Sequence, residues 1–136
     1  MVLKNIDSFI NELGYDMVKA MCGDGKLMGF IDRALGVLVN DGVYAYYVFC
    51  RSQKESKTKE IFIKKVIEKI NEMDDFKNYF SNNQIQTNNN KHIETFFQSL
   101  SSDLHKLLFF RDILEQALIY ARYHAKAYQH QGDANE

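Results

Sequence analysis

Residues 27–50, LMGFIDRALGVLVNDGVYAYYVFC, form the longest nearly uninterrupted apolar run of the chain. In its middle, Asn40 and Asp41 precede Gly42 and make a turn signal. Two apolar arms therefore meet at one turn, and we expect this unit to be the centre of the core. The first arm, residues 27–39, has apolar residues at the spacing of three and four that predicts a helix. Its predicted apolar stripe consists of Leu27, Phe30, Ile31, Ala34, Leu35 and Leu38.

The second arm, residues 43–50, is compatible with two structures. Its valine, tyrosine and phenylalanine side chains favour a strand, and Asp41 followed by Gly42 is a strong hairpin signal. Alternatively, a helix begins after Asp41, whose carboxylate would cap the first free amide groups. An isolated two-stranded hairpin is marginally stable, and the sequence has no second convincing pair of strands. The sequence therefore favours the helix and leaves the strand open.

Helical spacing of apolar residues recurs on both sides of this unit. It predicts helices over residues 3–21, 61–73, 92–100 and about 104–129, with a short helix starting at Asp74 or Asp75. We expect Gly14 to divide the first of these helices, because glycine has low helical propensity. The chain contains no proline, which favours long helices. The predicted fold class is all-α, a compact helical bundle of about five to six helices with a long C-terminal helix.

The length of 136 residues predicts a single helical domain, residues 1–136. Residues 81–91, SNNQIQTNNNK, are mostly asparagine and glutamine, and we expect an exposed polar loop that buries nothing and is dispensable for folding. Residues 132–136 are expected to form a frayed tail.

The composition limits the class of protein. Hydrophobic residues make up 46% of the chain, which excludes disorder for most of it, and the net charge of −1 provides no global attraction to nucleic acid. Cys22 and Cys50 lie in apolar sequence, so we expect reduced core thiols in a cytoplasmic protein. Charged residues interrupt the best apolar run, so the sequence predicts no membrane span.

The sequence contains no motif that we can assign to catalysis, a metal or a cofactor. Residues 23–25, Gly-Asp-Gly, lack the later glycine and the Lys-Ser/Thr pair of a phosphate-binding loop, and the chain has neither His-Glu-x-x-His nor Cys-x-x-Cys. His124 lies on the apolar seam of the last helix, where we expect a partly buried histidine with one hydrogen bond. The sequence therefore predicts a protein that is not an enzyme and has no cofactor.

Two basic stretches are candidates for contact with phosphates. The first contains six lysines, Lys54, Lys57, Lys59, Lys64, Lys65 and Lys69. The second contains Arg122 and Lys126, which alternate with Tyr120, Tyr123 and Tyr128. Aromatic side chains beside basic ones are typical of proteins that bind single-stranded nucleic acid. The alternative is a solvated surface with ion pairs four residues apart, such as Glu60 with Lys64. Both interpretations stay open at this point.

Residues 30–54, FIDRALGVLVNDGVYAYYVFCRSQK, resemble the central segment of the small subunits of CRISPR effector complexes, especially those of type III-B. In that family, a helix ends at a short turn of Asn-Gly type, and a second apolar helix follows and ends in a Ser/Lys cluster. Residues 107–128, LLFFRDILEQALIYARYHAKAY, are similar to the family's C-terminal amphipathic helix, which carries aromatic and basic residues near its end.

The resemblance implies a non-catalytic, all-helical structural subunit whose partners are other effector-complex subunits, crRNA and target nucleic acid. Such a subunit stacks in a filament and braces the paired guide and target. Lys64, Lys65, Arg122 and Lys126 would then be exposed and contact phosphates, which positions a strand without reading its bases. The near-zero net charge and the tyrosine-rich last helix support a second hypothesis, a helical protein–protein adaptor or homodimer without nucleic acid.

Overall fold

The computed structural model describes the backbone of residues 5–134 and the side chains of residues 5–129. Within this part of the chain every regular element is a helix, so the all-α prediction is confirmed. The elements are α1 (Ile6–Met21), α2 (Gly25–Asp41), α3 (Val43–Arg51), α4 (Ser56–Lys59), a π-helical turn (Glu60–Lys64), α5 (Lys65–Glu72), α6 (Asp74–Phe80), α7 (Asn90–Ser101) and α8 (Leu104–Ala134). Helix α4, the π turn and α5 follow one another without interruption and form one continuous helix, so the described residues contain seven helices.

The apolar run forms two helices, α2 and α3, that pack against each other. The carboxylate of Asp24 accepts hydrogen bonds from the backbone amides of Lys26 and Leu27, at 2.9 and 3.3 Å, and so caps the start of α2. Gly42 separates the two helices with φ of 98°, a backbone conformation that glycine adopts without strain. Residues 43–50 are therefore helical, and the strand alternative is wrong.

Two details of this unit differ from the expectation. Asp41 is the last residue of α2 and makes no capping hydrogen bond to α3, whose N-cap is Gly42. In the predicted apolar stripe of α2, Ala34 and Leu38 are fully buried, whereas Leu35 is only partly buried. The buried stripe of α2 is therefore narrower than the sequence suggested.

The turn between α4 and α5 widens to a π turn, in which the backbone amide of Lys65 bonds to the carbonyl of Glu60. The fully buried Tyr46 of α3 donates its hydroxyl hydrogen to the carbonyl oxygen of Phe62 in this turn, at 2.7 Å. Burial raises the pKa of Tyr46 well above its ordinary value. The bond joins the centre of α3 to the distorted turn and satisfies a buried polar group on each side.

The long helix α8 packs against α1 and α2. Its 31 residues correspond to a length of about 46 Å at about 1.5 Å per residue. Helix α1 is continuous through Gly14, so the expected break is wrong. A Cβ atom at Gly14 would lie only 2.9 Å from the carbonyl oxygen of Ala117 and 3.0 Å from the amide nitrogen of Ala121. At Gly14 the backbones of α1 and α8 are therefore close enough to leave no room for a side chain.

The polar segment 81–91 is mostly exposed, as expected, but it is anchored at one residue. Ile85 is only 6% exposed, and both its backbone groups bond to the side-chain amide of Asn71 in α5, each at 2.8 Å. The segment also contains the start of α7, where Asn89 caps the helix by accepting a hydrogen bond from the amide of His92 at 2.9 Å. The expectation that this segment buries nothing is therefore wrong.

Of the two cysteines, Cys50 is buried and Cys22 is exposed. Cys22 follows the last residue of α1 in the left-handed conformation, with φ of 52°, so its side chain leaves the apolar face of the helix. The prediction of two core thiols is therefore correct only for Cys50. At the other end of the chain, α8 continues to Ala134, and residues 135 and 136 of the expected frayed tail lie outside the described part.

Candidate nucleic-acid interface

The four predicted phosphate-contacting residues lie on two helical segments. Lys64 ends the π turn and Lys65 begins α5, whereas Arg122 and Lys126 lie one helical turn apart on α8. The structure places Lys64 beside Tyr47 of α3 and Ile93 of α7. It places Arg122 against α2, where the guanidinium nitrogen Nε lies 3.2 Å from a carboxylate oxygen of Asp32. The two pairs therefore have different helices as neighbours.

Arg122 and Lys126 are exposed, as expected, but Lys64 and Lys65 are each partly buried. The ammonium group of Lys64 lies 3.7 Å from a carboxylate oxygen of Glu60, which is the predicted pair four residues apart. Lysine side chains commonly lay their apolar stem along neighbouring apolar groups, and Tyr47 and Ile93 provide such groups here. Lys64 and Arg122 therefore each have a protein carboxylate that a phosphate would have to replace or share.

Lys69, on the same helix as Lys65, is held more firmly by acidic side chains. Its ammonium group lies 2.9 Å from a carboxylate oxygen of Asp16 in α1 and 3.1 Å from one of Glu72. Burial lowers the pKa of Lys69, but these two charged hydrogen bonds raise it by more, and the net result is a raised pKa. Lys69 therefore joins α5 to α1 and is not available to a ligand.

A second surface on α8 is aromatic. Tyr123 and Tyr128 are more than half exposed, and so is Tyr15 of α1. His124 lies between them, with its ring 5.6 Å from the ring of Tyr15 and its Nε2 atom 3.3 Å from the side-chain oxygen of Asn11. The prediction of a partly buried histidine with a hydrogen bond is confirmed. Tyr15, His124 and Tyr128 border an open groove of about 350 Å³ between α1 and α8.

A third surface was not found from the sequence. The start of α2 and the connection between α3 and α4 line an open groove of about 690 Å³. Three exposed basic residues, Lys26, Arg33 and Lys54, border it. We call it the basic groove. In the sequence these residues are separated by 7 and 21 positions and share no local pattern, so only the folded chain shows that they are neighbours.

The buried titratable groups have structural explanations. Burial raises the pKa of the Cys50 thiol to about 12, and this thiol lies beside the Tyr46 hydroxyl in the core. Among the described side chains, no three histidine, cysteine, aspartate or glutamate residues gather into a set that could hold a metal ion. The described helices also include none that is both long and apolar enough to cross a membrane.

Comparison of the chain with models of protein families, with curated proteins and with solved structures finds no significant match.

Proposed function

We propose that the protein is a non-catalytic helical structural subunit of a CRISPR ribonucleoprotein effector complex, in which it braces guide and target nucleic acid through contacts with backbone phosphates. The proposal rests first on the resemblance of residues 30–54 and 107–128 to the small subunits of such complexes. In the structure these two stretches belong to α2, α3 and α8, which pack together in the body of the protein.

The exposed surface of α8 is the observation that supports nucleic-acid binding most directly. Arg122 and Lys126 are exposed there, and so are Tyr120, Tyr123 and Tyr128. Bases stack on tyrosine rings irrespective of sequence, and basic side chains contact the backbone between them. Tyr123 is adjacent to Arg122 and three residues before Lys126, so a partner's nucleic acid along this side of α8 would meet both kinds of side chain. Lys64 and Lys65 would provide further phosphate contacts on the segment before α5.

A salt titration of the reconstituted complex tests this proposal. Alanine at Lys64, Lys65, Arg122 and Lys126 should make target binding less dependent on salt, because each lost phosphate contact lowers the slope of log K against log[salt] by about one unit or somewhat less. A control variant removes positive charge from other surfaces, with alanine at Lys77, Lys91 and Lys106. If both variants behave like the wild type, the four proposed residues are not at the nucleic-acid surface.

The second candidate function is a protein–protein adaptor or homodimer, and an exposed apolar surface favours it. Leu104 and Leu108 at the start of α8 are 65% and 51% exposed, and Tyr44 and Val48 of α3 are also exposed. Arg111 of α8 donates a hydrogen bond to the carbonyl oxygen of Val39, at 2.8 Å, which places this part of α8 beside the end of α2. Sedimentation analysis of the isolated protein would show a dimer if this surface drives self-association.

A further inference from the structure

The basic groove differs from the other basic surfaces in its charge balance. None of Lys26, Arg33 and Lys54 forms an ion pair with an acidic group among the described side chains. Glu55 is the one acidic side chain that lines the groove. Three positive charges against one negative charge leave a local excess of two in a chain whose net charge is −1. Such a concentration of one sign in a concave surface attracts an anionic ligand.

Two other acidic residues near the groove residues in the sequence, Asp24 and Asp32, make contacts elsewhere. The carboxylate of Asp24 accepts hydrogen bonds from the amides at the start of α2. The carboxylate of Asp32, the residue before Arg33, pairs with Arg122 of α8 at 3.2 Å. Neither carboxylate forms an ion pair with Lys26, Arg33 or Lys54 among the described side chains.

Arg33 is held in place by aromatic rings. Its guanidinium carbon lies 5.5 Å from the ring centre of Phe30 and 5.6 Å from that of Phe49. These two rings are stacked on each other, with centres 5.3 Å apart and planes 5° from parallel. An arginine over an aromatic face is stabilised without using its N–H groups, so its planar set of donors stays available for two hydrogen bonds to one phosphate.

We propose that the basic groove binds the sugar-phosphate backbone of an RNA strand, with Arg33 as the central phosphate ligand and Lys26 and Lys54 at its sides. This inference rests on the proposed function and adds a phosphate site to it. Lys64 and Arg122 are each paired with a carboxylate, whereas none of the three basic groove residues forms an ion pair with a described acidic side chain. Contacts of this kind hold a strand in place without selecting its sequence.

The test uses the full chain and a fluorescein-labelled oligouridylate, with binding followed by fluorescence anisotropy at several salt concentrations. Glutamine at Lys26, Arg33 and Lys54 should reduce the slope of log K against log[salt] by about 2, from about 0.7 for each phosphate contact to a single strand. Glu55→Gln should act in the opposite direction and tighten binding. It is a suitable matched variant, because the Glu55 side chain makes no capping hydrogen bond to α4.

Two further variants separate the possible outcomes. Arg33→Lys keeps the charge but loses the planar donors, so it should keep most of the salt slope while weakening binding. The alanine variant at Lys64, Lys65, Arg122 and Lys126 should retain the groove's share of the slope. Since Lys26, Arg33, Lys54 and Glu55 are exposed, circular dichroism and melting temperature of the groove variants should match the wild type.

The results distinguish failure of the groove from failure of the proposed function. If the glutamine variant keeps the wild-type slope while the four-alanine variant shows a reduced slope, RNA does not bind in the basic groove. The proposed function then stands. If oligouridylate does not bind at low salt but polyglutamate or phosphatidylserine vesicles bind and depend on Arg33, the groove serves another anion and the RNA proposal is refuted. A wild-type chain that binds none of these probes also refutes the groove.

Discussion

Replacing Gly14 with alanine should destabilise the protein, whereas the same replacement at Gly36 should stabilise it. Both glycines lie inside helices, in α1 and α2. A Cβ atom at Gly14 would meet backbone atoms of α8 at 2.9 and 3.0 Å, and one at Gly36 would meet no atom within 4 Å outside its own helix. The pair therefore isolates the close approach of α1 to α8 from the general effect of glycine on a helix.

The size of each effect follows from two opposing contributions. Alanine is favoured over glycine in a helix interior by about 1 kcal/mol, and at Gly36 this gain is unopposed, so we expect about 0.5–1 kcal/mol of stabilisation. At Gly14 the gain is opposed by overpacking, which costs about 1–3 kcal/mol. The atoms in the way belong to the backbone of α8 and cannot rotate aside, so the net change is a destabilisation of about 0–2 kcal/mol. The two variants should then differ by about 2 kcal/mol.

Urea unfolding followed by circular dichroism measures this difference directly. A gap of about 2 kcal/mol corresponds to about 8 °C in Tm for a chain of this size. If Gly14→Ala proves as stable as Gly36→Ala, then α1 and α8 do not approach each other at Gly14 and their packing as described is wrong. An unchanged m value in both variants would show that the same cooperative unit unfolds.

Other parts of the structure give four further predictions. Tyr46→Phe should cost about 1–3 kcal/mol in thermal unfolding, because it removes the hydrogen bond to the Phe62 carbonyl in the core; unchanged stability would mean that this bond is not formed. A thiol reagent should modify Cys22 in the folded protein and Cys50 only after unfolding, and rapid reaction of both would contradict the burial of Cys50. Burial raises the pKa of the Cys50 thiol from 9.0 to about 12, so the folded state keeps this proton at pH values where the unfolded chain loses it. The free energy of unfolding should therefore be constant below about pH 9 and fall as the pH rises toward 12. In Cys50→Ala the fall over this range should be smaller. Asn71→Ala should release the polar loop at its one buried residue, which hydrogen exchange at that amide would detect; unchanged protection would show that the loop is held by other contacts.

The sequence predicted the helical elements well, because each depends on a local pattern. Apolar spacing located α2, α7 and α8, and the scarcity of strand pairs favoured a helix for residues 43–50, which is α3. The end of α2 at Gly42 was also visible as a turn signal. These features need only the neighbouring residues to be known, which explains their success.

Features that depend on distant residues were not predicted. Gly14 suggested a helix break, but its role comes from Ala117 and Ala121, about a hundred residues away. Ile85 gave no sign of being buried, because its partner Asn71 lies in another element. For the same reason the basic groove was missed, since Lys26, Arg33 and Lys54 become neighbours only when α2 packs beside the connection that follows α3.

Purification of the tagged protein from its native cells, followed by identification of bound proteins and sequencing of bound RNA, is the most direct test of the proposed function. We expect other effector-complex subunits and crRNA to co-purify with the protein. Nuclease treatment should leave a protected guide, and high salt should release the RNA as its phosphate contacts weaken. Recovery of the protein alone, as a homodimer, or with protein partners and no RNA would contradict the proposal and favour the adaptor function.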